Sequence, residues 1–374
     1  MQHGFMTLAL GLGLGVVLGG ATLAPAAAQE KVVNVYNWSD YIDKEVLEAF
    51  TKETGIKVRY DVYDSNEVLE TKLLAGKTGY DVVVPTGSFM QRQIKAGVFL
   101  PLDKALLPNL QYGWPEINER LAVYDPGNKY SVNYMWGTTG IGYNVAKVKA
   151  RLGDMPMNTW DIVFKPEILS KLADCGVYVL DSPEEVLPAA LKYLGLEPDS
   201  KNPDDIEKVS ELLMQIRPFI KKFDSSGYIN ALARGDICLA VGWSGDVFQA
   251  KTRAEEAAEN TKTDLVEVDY VIPKQGALMW FDNFAIPHDA AHVEEAHAFI
   301  NYMMRPEVAA KNVDYISYAS GNLAAQKLID KDILDNPAIY PDKETFDKLF
   351  LVTTNDAKFQ RVVTRMWNTF KRGK

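Results

Sequence analysis

Three pairs of a tryptophan and a carboxylate are the clearest candidates for chemistry in this sequence. Each pair places an indole ring two or three residues from an acidic side chain, at the edge of a predicted element: Trp38 and Asp40, Trp243 and Asp246, Trp280 and Asp282. Other candidates stand on probable loops or at element ends: Ser39, Tyr41, Thr86, Ser88, Glu185 and Tyr318. An ammonium group gains about 0.5–2 kcal/mol over an aromatic ring and about 1.5–3 kcal/mol from a charge-assisted hydrogen bond. The pattern therefore favours an alkyl ammonium over a neutral sugar, which would leave buried carboxylates without a counter-charge.

Each acidic candidate also has a structural interpretation. Ser182 and Glu185 have the spacing of a capping box, in which the two side chains satisfy the first turn of a helix. Asp246 could cap a helix that begins at Val247, and Asp40 could be a turn residue. The sequence leaves these alternatives open, and any one tryptophan could instead belong to the core.

Motifs typical of enzymes are missing. The sequence has no G-x-S-x-G, no P-loop, no G-x-G-x-x-G after a strand and no C-x-x-C. His288, His292 and His297 lie in or near one predicted acidic helix, residues 289–304, but the five-residue step between the last two turns their rings about 140° apart. We expect solvated helix surface there, and no metal, cofactor or catalysis. A secreted glycan hydrolase that uses two of the carboxylates as acid and base is the distant alternative.

Alternating strands and helices are predicted to position the candidates. The first part reads strand 32–36, helix 43–52, strand 56–63, helix 64–76 and strand 80–84. Further strands or extended segments are predicted at 138–144, 237–241, 266–273 and 277–287, and helices begin at 160 and 182. This alternation predicts an α/β fold with right-handed crossovers. Ligands of such folds bind at the carboxyl ends of strands, where residues 37–41 and 85–89 lie.

The first 28 residues are typical of a secretory signal peptide. An apolar run over residues 6–20 precedes Ala26-Ala27-Ala28, which predicts cleavage before Gln29. No later run of about 18 apolar residues predicts a membrane span. We expect an exported, soluble, periplasmic protein. In an oxidising compartment Cys175 and Cys238 are predicted to form a disulfide, with two buried free thiols as the alternative.

Composition and charge narrow the class of protein. The 374 residues are 47% hydrophobic, which excludes an intrinsically disordered chain and fits two domains or one large domain. The chain has 40 Lys and Arg against 50 Asp and Glu, a formal net charge of −10. This balance argues against a nucleic-acid partner and suits a cationic one.

Five segments resemble the bacterial periplasmic polyamine-binding proteins, which are the putrescine and spermidine receptors of ABC importers. The segments are NVYNWSDYI (34–42), YDVYDSNEVLETKLLAGKTGYDVVVP (60–85), WGTTGIGYN (136–144), GDICLAVGWSGDV (235–247) and WFDNFAIP (280–287). The resemblance runs over essentially the whole chain after the signal peptide. It implies a two-lobe type II periplasmic-binding fold with the ligand cleft between the lobes, and a disulfide at the two cysteines.

The resemblance also implies roles for the candidates. It assigns aromatic walls to Trp38, Trp243, Trp280 and Tyr318. It assigns ammonium contacts to Asp40, Glu185, Asp246 and Asp282, and hydroxyl or backbone contacts to Ser39, Thr86 and Ser88, while Tyr41 matches the same motif. Trp280 is typical of spermidine-preferring members, whereas Ser88-Phe89 resembles the putrescine type, so spermidine is expected to be accepted alongside putrescine.

Lobe boundaries and partners complete the expectations. Residues 29–135 and 276–322 are predicted to form the first lobe, and residues 136–275 and 323–374 the second. The implied partners are a polyamine and the membrane permease of an ABC importer, with no nucleic acid, and the protein is expected to be a monomer. The alternatives are the same fold with another organic cation, or a role in feeding a sensory receptor.

Overall fold

The computed structural model describes residue 1 and residues 30–373. The predicted signal peptide, apart from Met1, lies outside the described residues. A unit that begins at Lys31 contains every element named below. Among the described residues, no helix combines the length and the apolar character needed to cross a membrane.

The strands form one mixed sheet. They are β1 (Val32–Trp38), β2 (Lys57–Tyr63), β3 (Val82–Val83), β4 (Ser131–Asn144), β5 (Val177–Val179), β6 (Lys222–Phe223), β7 (Leu239–Trp243), β8 (Val268–Val271), β9 (Leu278–Ala285) and β10 (Ala319–Ser320). Their order is β2-β1-β3-β9-β4-β7-β5-β6, and β8 and β10 pair with β4. The two outer groups are parallel, β1 with β2 and β3 and β5 with β6 and β7, whereas β9 and β4 run antiparallel at the centre.

The α-helices cover the sheet and form its connections. They are α1 (Lys44–Thr54), α2 (Asn66–Ala75), α3 (Gly87–Lys95), α4 (Pro115–Leu121), α5 (Val145–Leu152), α6 (Asp161–Phe164), α7 (Pro166–Leu169), α8 (Pro183–Tyr193), α9 (Pro203–Ile216), α10 (Gly227–Ala233), α11 (Ser244–Thr261), α12 (Val293–Met303), α13 (Pro306–Ile316), α14 (Lys331–Leu334), α15 (Lys343–Asp347) and α16 (Ala357–Arg372).

The first two helices begin and end where the sequence predicts. The side chain of Asp43 accepts a hydrogen bond from the Glu45 amide at 2.9 Å, which caps α1. Gly55 ends the same helix with a left-handed φ of 70°, a conformation that glycine adopts without steric cost. Ser65 caps α2 in the same way through the Val68 amide at 3.3 Å. Local sequence signals therefore determine this part of the fold.

Strand β4 is twice as long as predicted and joins the two parallel groups. Residues 131–139 pair with β9, whereas residues 139–144 pair with β7 and β8. A register shift between Asn133 and Met135 interrupts the first half. Nearly every residue of β4 is buried, so neither half shows an alternation of buried and exposed side chains. The glycines of residues 138–144 indicated only the second half of the strand.

Three clusters of buried side chains form the core of the described residues. The first contains Phe50, Phe284 and Phe299, whose rings pack edge to face at centroid distances of 5.3 and 6.0 Å. The second contains Trp160 and Trp367, and α16 packs against α9 beside it. The third joins residues of both parallel groups, such as Tyr36 on β1 and Ala240 on β7. Residues 325 and 329, which the sequence analysis assigns to the second lobe, pack in the cluster that contains Phe50. The exact lobe boundaries stay a prediction.

The predicted disulfide is confirmed, and the alternative of two free thiols is wrong. Cys175 and Cys238 are bonded with their Cα atoms 5.6 Å apart and 63 residues apart in sequence. They lie just before β5 and β7, whose paired residues begin at Val177 and Leu239. The bond therefore links two neighbouring strands of the second parallel group.

The expectation of a solvated histidine face is wrong for His297. Its ring is 3% exposed; Nδ1 lies 2.8 Å from the Val293 carbonyl, and Nε2 accepts from the Asp103 amide at 2.9 Å. His292 Nδ1 lies 3.0 Å from Asp81 Oδ2. Within the part of the chain that the structure describes, no group of three or more His, Cys, Asp or Glu residues is placed to hold a metal ion.

Candidate ligand-binding site

Ten of the twelve predicted site residues line one cavity of about 540 Å³, part of it open to solvent. They are Trp38, Ser39, Tyr41, Thr86, Glu185, Trp243, Asp246, Trp280, Asp282 and Tyr318. Five lining residues were not predicted: Asp64, Asn66, Ser225, Ser226 and Ile229. Residues up to 280 positions apart in sequence are therefore brought together.

The ends of strands from both parallel groups position the site. Trp38 is the last residue of β1, and Trp243 is the last residue of β7. The Trp38 indole N–H donates to the Val84 carbonyl at 3.0 Å, which holds the ring against the segment that follows β3. Trp280 and Asp282 lie on the central strand β9. Carboxyl ends of parallel strands are thus used on both sides, as the sequence predicts.

Aromatic rings form the walls of the cavity. The Trp38 and Trp243 ring centroids are 6.1 Å apart, and Tyr318 lies 5.3 Å from Trp280 and 5.2 Å from Tyr41. All three contacts are edge to face, a favourable arrangement for aromatic pairs. Such walls can hold a methylene chain and offer ring faces to a cation.

Glycines allow two of these rings to approach the backbone. A Cβ at Gly137 would lie 2.7 Å from the Trp280 ring, and a Cβ at Gly245 would overlap the Tyr318 ring. Neither glycine has a positive φ, so close packing, not backbone conformation, requires the missing side chain at these positions.

Asp282 is buried, and two hydroxyl groups donate hydrogen bonds to its carboxylate. Its side chain accepts from Thr86 Oγ1 at 2.6 Å and from the Tyr41 hydroxyl at 2.9 Å, and the residue is 4% exposed. Burial raises the pKa of Asp282 to about 7; the two hydroxyl donors oppose the shift and the charge of Asp246 adds to it. The Asp282 carboxylate is shielded from water, and both of these hydrogen-bond donors are neutral.

Asp246 does not cap its helix. It is the third residue of α11, and its carboxylate accepts from the hydroxyls of Tyr318 at 2.6 Å and Tyr228 at 2.9 Å. Burial raises the pKa of Asp246 to about 6 against these two hydrogen bonds. The capping interpretation is therefore wrong for this residue.

Glu185 does not form the capping box that its spacing with Ser182 suggested. Ser182 is the residue before α8, but its side chain makes no capping hydrogen bond. The Glu185 carboxylate instead accepts from the Thr139 hydroxyl on β4. Burial raises the pKa of Glu185 to about 7, while hydrogen bonds from Thr139 and Trp243 oppose the shift.

The three buried carboxylates share one property. The hydrogen-bond donors named above for Asp246, Asp282 and Glu185 are all neutral, and within residues 30–373 none of the three carboxylates forms an ion pair. Burying a carboxylate without a counter-charge is unfavourable, and the raised pKa values express that penalty. The cavity is therefore suited to a ligand that brings positive charge.

Asp40 and Ser88 lie apart from the other ten. Asp40 has a left-handed φ of 53° in a turn, its side chain is 56% exposed, and its Oδ1 lies 3.2 Å from the Arg253 guanidinium. The structure thus agrees with the turn interpretation for this residue. Ser88, in the first turn of α3, lines an adjoining cavity that shares Trp38, Thr86 and other residues with the main one.

Sequence analysis predicted Tyr41, Thr86 and Tyr318 but missed two other residues that hold the carboxylates. Thr139 and Tyr228 were not named as site residues, although Thr139 lies in the segment 136–144, and they reach Glu185 and Asp246 from 46 and 18 residues away. Asn66 reaches Thr86 from 20 residues away, with its Nδ2 donating to Thr86 Oγ1 at 2.9 Å. The N-terminal position of Asn66 on a predicted helix that follows a strand was the one available signal.

A model of the bacterial extracellular solute-binding proteins matches residues 45–341. The chain belongs to this family. It is 53% identical to SpuD of Pseudomonas aeruginosa, a putrescine-binding periplasmic protein, over 96% of this chain and 98% of the relative. It is 51% identical to PotF of Escherichia coli, also a putrescine-binding periplasmic protein, over 93% of each chain.

A solved structure extends the comparison to the fold of this solute-binding protein. The structure of a putative spermidine/putrescine ABC transporter from Listeria monocytogenes has a TM-score of 0.80 and 33% identity, and the match covers 92% of this chain and 100% of that one. The predicted α/β, two-lobe fold is confirmed. These relatives serve transport and are not enzymes, so the glycan-hydrolase alternative is not supported.

Proposed function

We propose that this protein captures a polyamine in the periplasm and delivers it to the membrane permease of an ABC importer. Relatives above 50% identity over nearly the whole chain are putrescine-binding periplasmic proteins, which supports this class of ligand and this compartment. The predicted signal peptide agrees with the compartment. We also propose that the protein acts as a monomer, as the resemblance implies. Its net charge of −10 supports the absence of a nucleic-acid partner.

One observation carries the proposal: three buried carboxylates without a cationic partner surround a cavity with aromatic walls. Asp246 and Asp282 are linked through the hydroxyl-bearing rings of Tyr318 and Tyr41, which pack edge to face. Glu185 lines the same cavity and is the third carboxylate of the cluster; the charge of Asp282 contributes to its raised pKa. The ammonium groups of a diamine or triamine would neutralise this cluster, and the indole rings would contact the methylene chain.

The expected affinity follows from the contacts. A charge-assisted hydrogen bond contributes about 1.5–3 kcal/mol, and a cation over a ring about 0.5–2 kcal/mol. Two ammonium groups with two contacts each leave roughly −8 kcal/mol after the loss of freedom and of water, which corresponds to micromolar binding or tighter.

Closure of the two lobes would complete the site. Strands β9 and β4 lie at the centre of the sheet between the two parallel groups, so bending at these strands can open the cleft without separating the lobes. The ring of Trp38 from β1 meets that of Trp243 from β7 over the cavity. Closing this contact excludes water and strengthens every ion contact inside.

We propose that both putrescine and spermidine bind. The main cavity continues into the adjoining cavity that Ser88, Glu67 and Glu184 line, which gives space beyond a four-carbon diamine. Trp280 supplies the larger of the two aromatic rings that the resemblance associates with this position.

Titration calorimetry on the protein without its signal peptide tests the proposal. Putrescine and spermidine should bind with a stoichiometry of one and dissociation constants in the micromolar range or below. 1,4-Butanediol, which has the same length as putrescine and no charge, and arginine serve as controls. A ligand that binds only the folded state also raises thermal stability, so a thermal-shift panel gives an independent readout. Equal responses to butanediol and putrescine, or no response to either polyamine, would reject the proposal.

A further inference from the structure

Two buried asparagines lie directly behind the carboxylate of Asp282. Asn133 on β4 and Asn283 on β9 face each other in the strand register, and they are 9% and 0% exposed. Asn133 Nδ2 donates to the carbonyls of Met135 at 3.0 Å and Asp282 at 3.3 Å, and to Asn283 Oδ1 at 3.3 Å. Neither asparagine is among the residues that line the ligand cavity.

The pair also reaches the segment before Thr86. The backbone amide of Asn283 donates to the Pro85 carbonyl at 3.1 Å, and its side-chain Nδ2 donates to the Phe281 carbonyl at 2.9 Å. Thr86 follows Pro85, and Asp282 follows Phe281. The Thr86 hydroxyl donates to the Asp282 carboxylate at 2.6 Å. The asparagines therefore fix the backbone on both sides of that contact.

The Asn133 side chain spans an irregularity in β4. A register shift lies between Asn133 and Met135, and Nδ2 donates to the Met135 carbonyl across it. Reversing the amide would turn Oδ1 towards three acceptor oxygens, so the hydrogen-bond network sets its orientation. Oδ1 has no hydrogen-bond partner among the described residues and packs against Gly321, where a Cβ would overlap it.

The Asn133 side chain thus joins the irregular part of β4 to the backbone of Asp282 and to Asn283. These hydrogen bonds connect β4 to the residue whose carboxylate accepts from the Thr86 hydroxyl.

We propose that Asn133, supported by Asn283, is a positioning residue for ammonium recognition: it fixes the bulged strand so that Thr86 and Asp282 meet in the geometry that receives the cation. This inference rests on the proposed function. Its consequence is that the affinity for a polyamine depends on a side chain that never contacts the polyamine.

Putrescine calorimetry on matched variants tests the inference. Asn133→Ala removes the three hydrogen bonds, and Asn133→Asp keeps the size but replaces the donor with an acceptor; each should weaken binding about tenfold. Gly321→Ala should displace the Asn133 side chain by overlap and weaken binding about fivefold. Asn133→Ala removes Oδ1 and Cγ, the two atoms that a Cβ at residue 321 would overlap most, and leaves only a tight contact of 3.0 Å with the Cβ of residue 133. The double variant should therefore bind nearly like Asn133→Ala alone. This non-additivity is the signature of the contact.

A control separates positioning from general destabilisation. Asn144, at the other end of β4, caps α5 through the Lys147 amide at 2.9 Å and does not line the cavity. Asn144→Ala should lower the melting temperature and leave the putrescine affinity within twofold. The pH profile of binding supplies a second readout. Loosening the Thr86 hydrogen bond should move the midpoint of that profile upward in Asn133→Ala and not in Asn144→Ala; the other groups that act on Asp282 are Tyr41 and Asp246.

The outcomes distinguish this inference from the proposed function. If the unmodified protein binds putrescine and Asn133→Ala loses thermal stability but keeps its affinity and its pH midpoint, the positioning role is rejected and the proposed function stands. Additive effects in the Asn133 and Gly321 cycle would also reject it. If Asn133→Ala does not fold, Gly321→Ala decides alone, since unchanged affinity in that variant contradicts the role. Failure of the unmodified protein to bind any polyamine rejects both.

Discussion

The turn after β1 and the middle of β9 contain the same short pattern, a tryptophan followed two residues later by an aspartate, and the fold treats the two aspartates differently. The Asp40 side chain is 56% exposed and lies 3.2 Å from Arg253. Asp282 is 4% exposed and is held by the hydroxyls of Thr86 and Tyr41. The protein itself supplies the cation for the first carboxylate. The second has only neutral partners and is left for a ligand to neutralise.

The environment of a carboxylate in the folded protein, more than its neighbours in the sequence, indicates whether that carboxylate is suited to bind a ligand. An exposed ion pair contributes at most about 1 kcal/mol because water screens it. A carboxylate that is buried among hydroxyl groups carries a penalty that an incoming ammonium group relieves. Asp246, with its two tyrosine partners, falls on the side of Asp282.

The largest effect is expected from removing a buried charge. Asp282→Asn and Asp246→Asn should each weaken putrescine binding by about 30-fold or more, which corresponds to about 2 kcal/mol, because each loses a charge-assisted contact in a site without water. Calorimetry measures the loss, and Asp236→Asn, an exposed partner of Arg234, is the matched control. Wild-type affinity in both site variants would remove them from the site.

The stability of the ligand-free protein should fall as pH rises from 5.5 to 7.5. Asp282 and Glu185 have pKa values of about 7 in the folded state, and an unfolded chain has values near 4, so the folded state binds more protons between these limits. The free energy of unfolding is then greatest at pH 5.5. It falls by about 1.4 kcal/mol per pH unit for each carboxylate that is protonated in the folded state and ionised in the unfolded state.

Denaturant unfolding at several pH values measures this slope. Asp282→Asn should reduce this slope by nearly one proton. An identical slope in wild type and Asp282→Asn would show that this carboxylate is not strained in the folded protein.

Removing one hydroxyl should have a smaller effect. Tyr318→Phe deletes the hydrogen bond to Asp246 at 2.6 Å but keeps the ring that packs on Trp280. A neutral donor to a charged acceptor contributes about 1 kcal/mol or slightly more, so putrescine should bind about fivefold more weakly. Tyr302→Phe, with a ring outside the cavity, is the control. If Tyr318→Phe binds like wild type, the hydroxyl does not support the carboxylate.

The smallest effect is expected at the exposed carboxylate. Asp40→Asn should weaken binding by about twofold or less at low ionic strength and have no effect in high salt, because the Arg253 pair is screened by water and ions. A loss as large as that of Asp282→Asn would make Asp40 a ligand contact after all.

The sequence predicts those features of the site that depend on local pattern. The caps of α1 and α2 follow from Asp43, Ser65 and Gly55 and their immediate neighbours, and the strand ends that carry Trp38 and Trp243 follow from apolar runs. These signals act within one element, where residue type and spacing determine the outcome.

Long-range partners could not be predicted in this way. Glu185 on α8 meets Thr139 on β4 across 46 residues, and Asp40 meets Arg253 across 213 residues. The spacing of Ser182 and Glu185 fits a capping box equally well, but Ser182 makes no capping hydrogen bond and Glu185 accepts from Thr139 instead. Strand β4 is buried along nearly its whole length, so no alternation marks its first half. Which carboxylate becomes buried is a property of the assembled sheet.

The number of protons released on binding shows directly whether the buried carboxylates ionise when they pair with a cationic ligand. Putrescine is titrated calorimetrically at pH 6.5 into the ligand-free protein, in two buffers with different heats of ionisation. The buried carboxylates, with pKa values of about 6 and 7, are partly protonated at this pH and must ionise to pair with the ammonium groups. The account predicts that each putrescine bound releases about one proton or more, and that Asp282→Asn releases fewer. Binding without proton release, or with proton uptake, would contradict it.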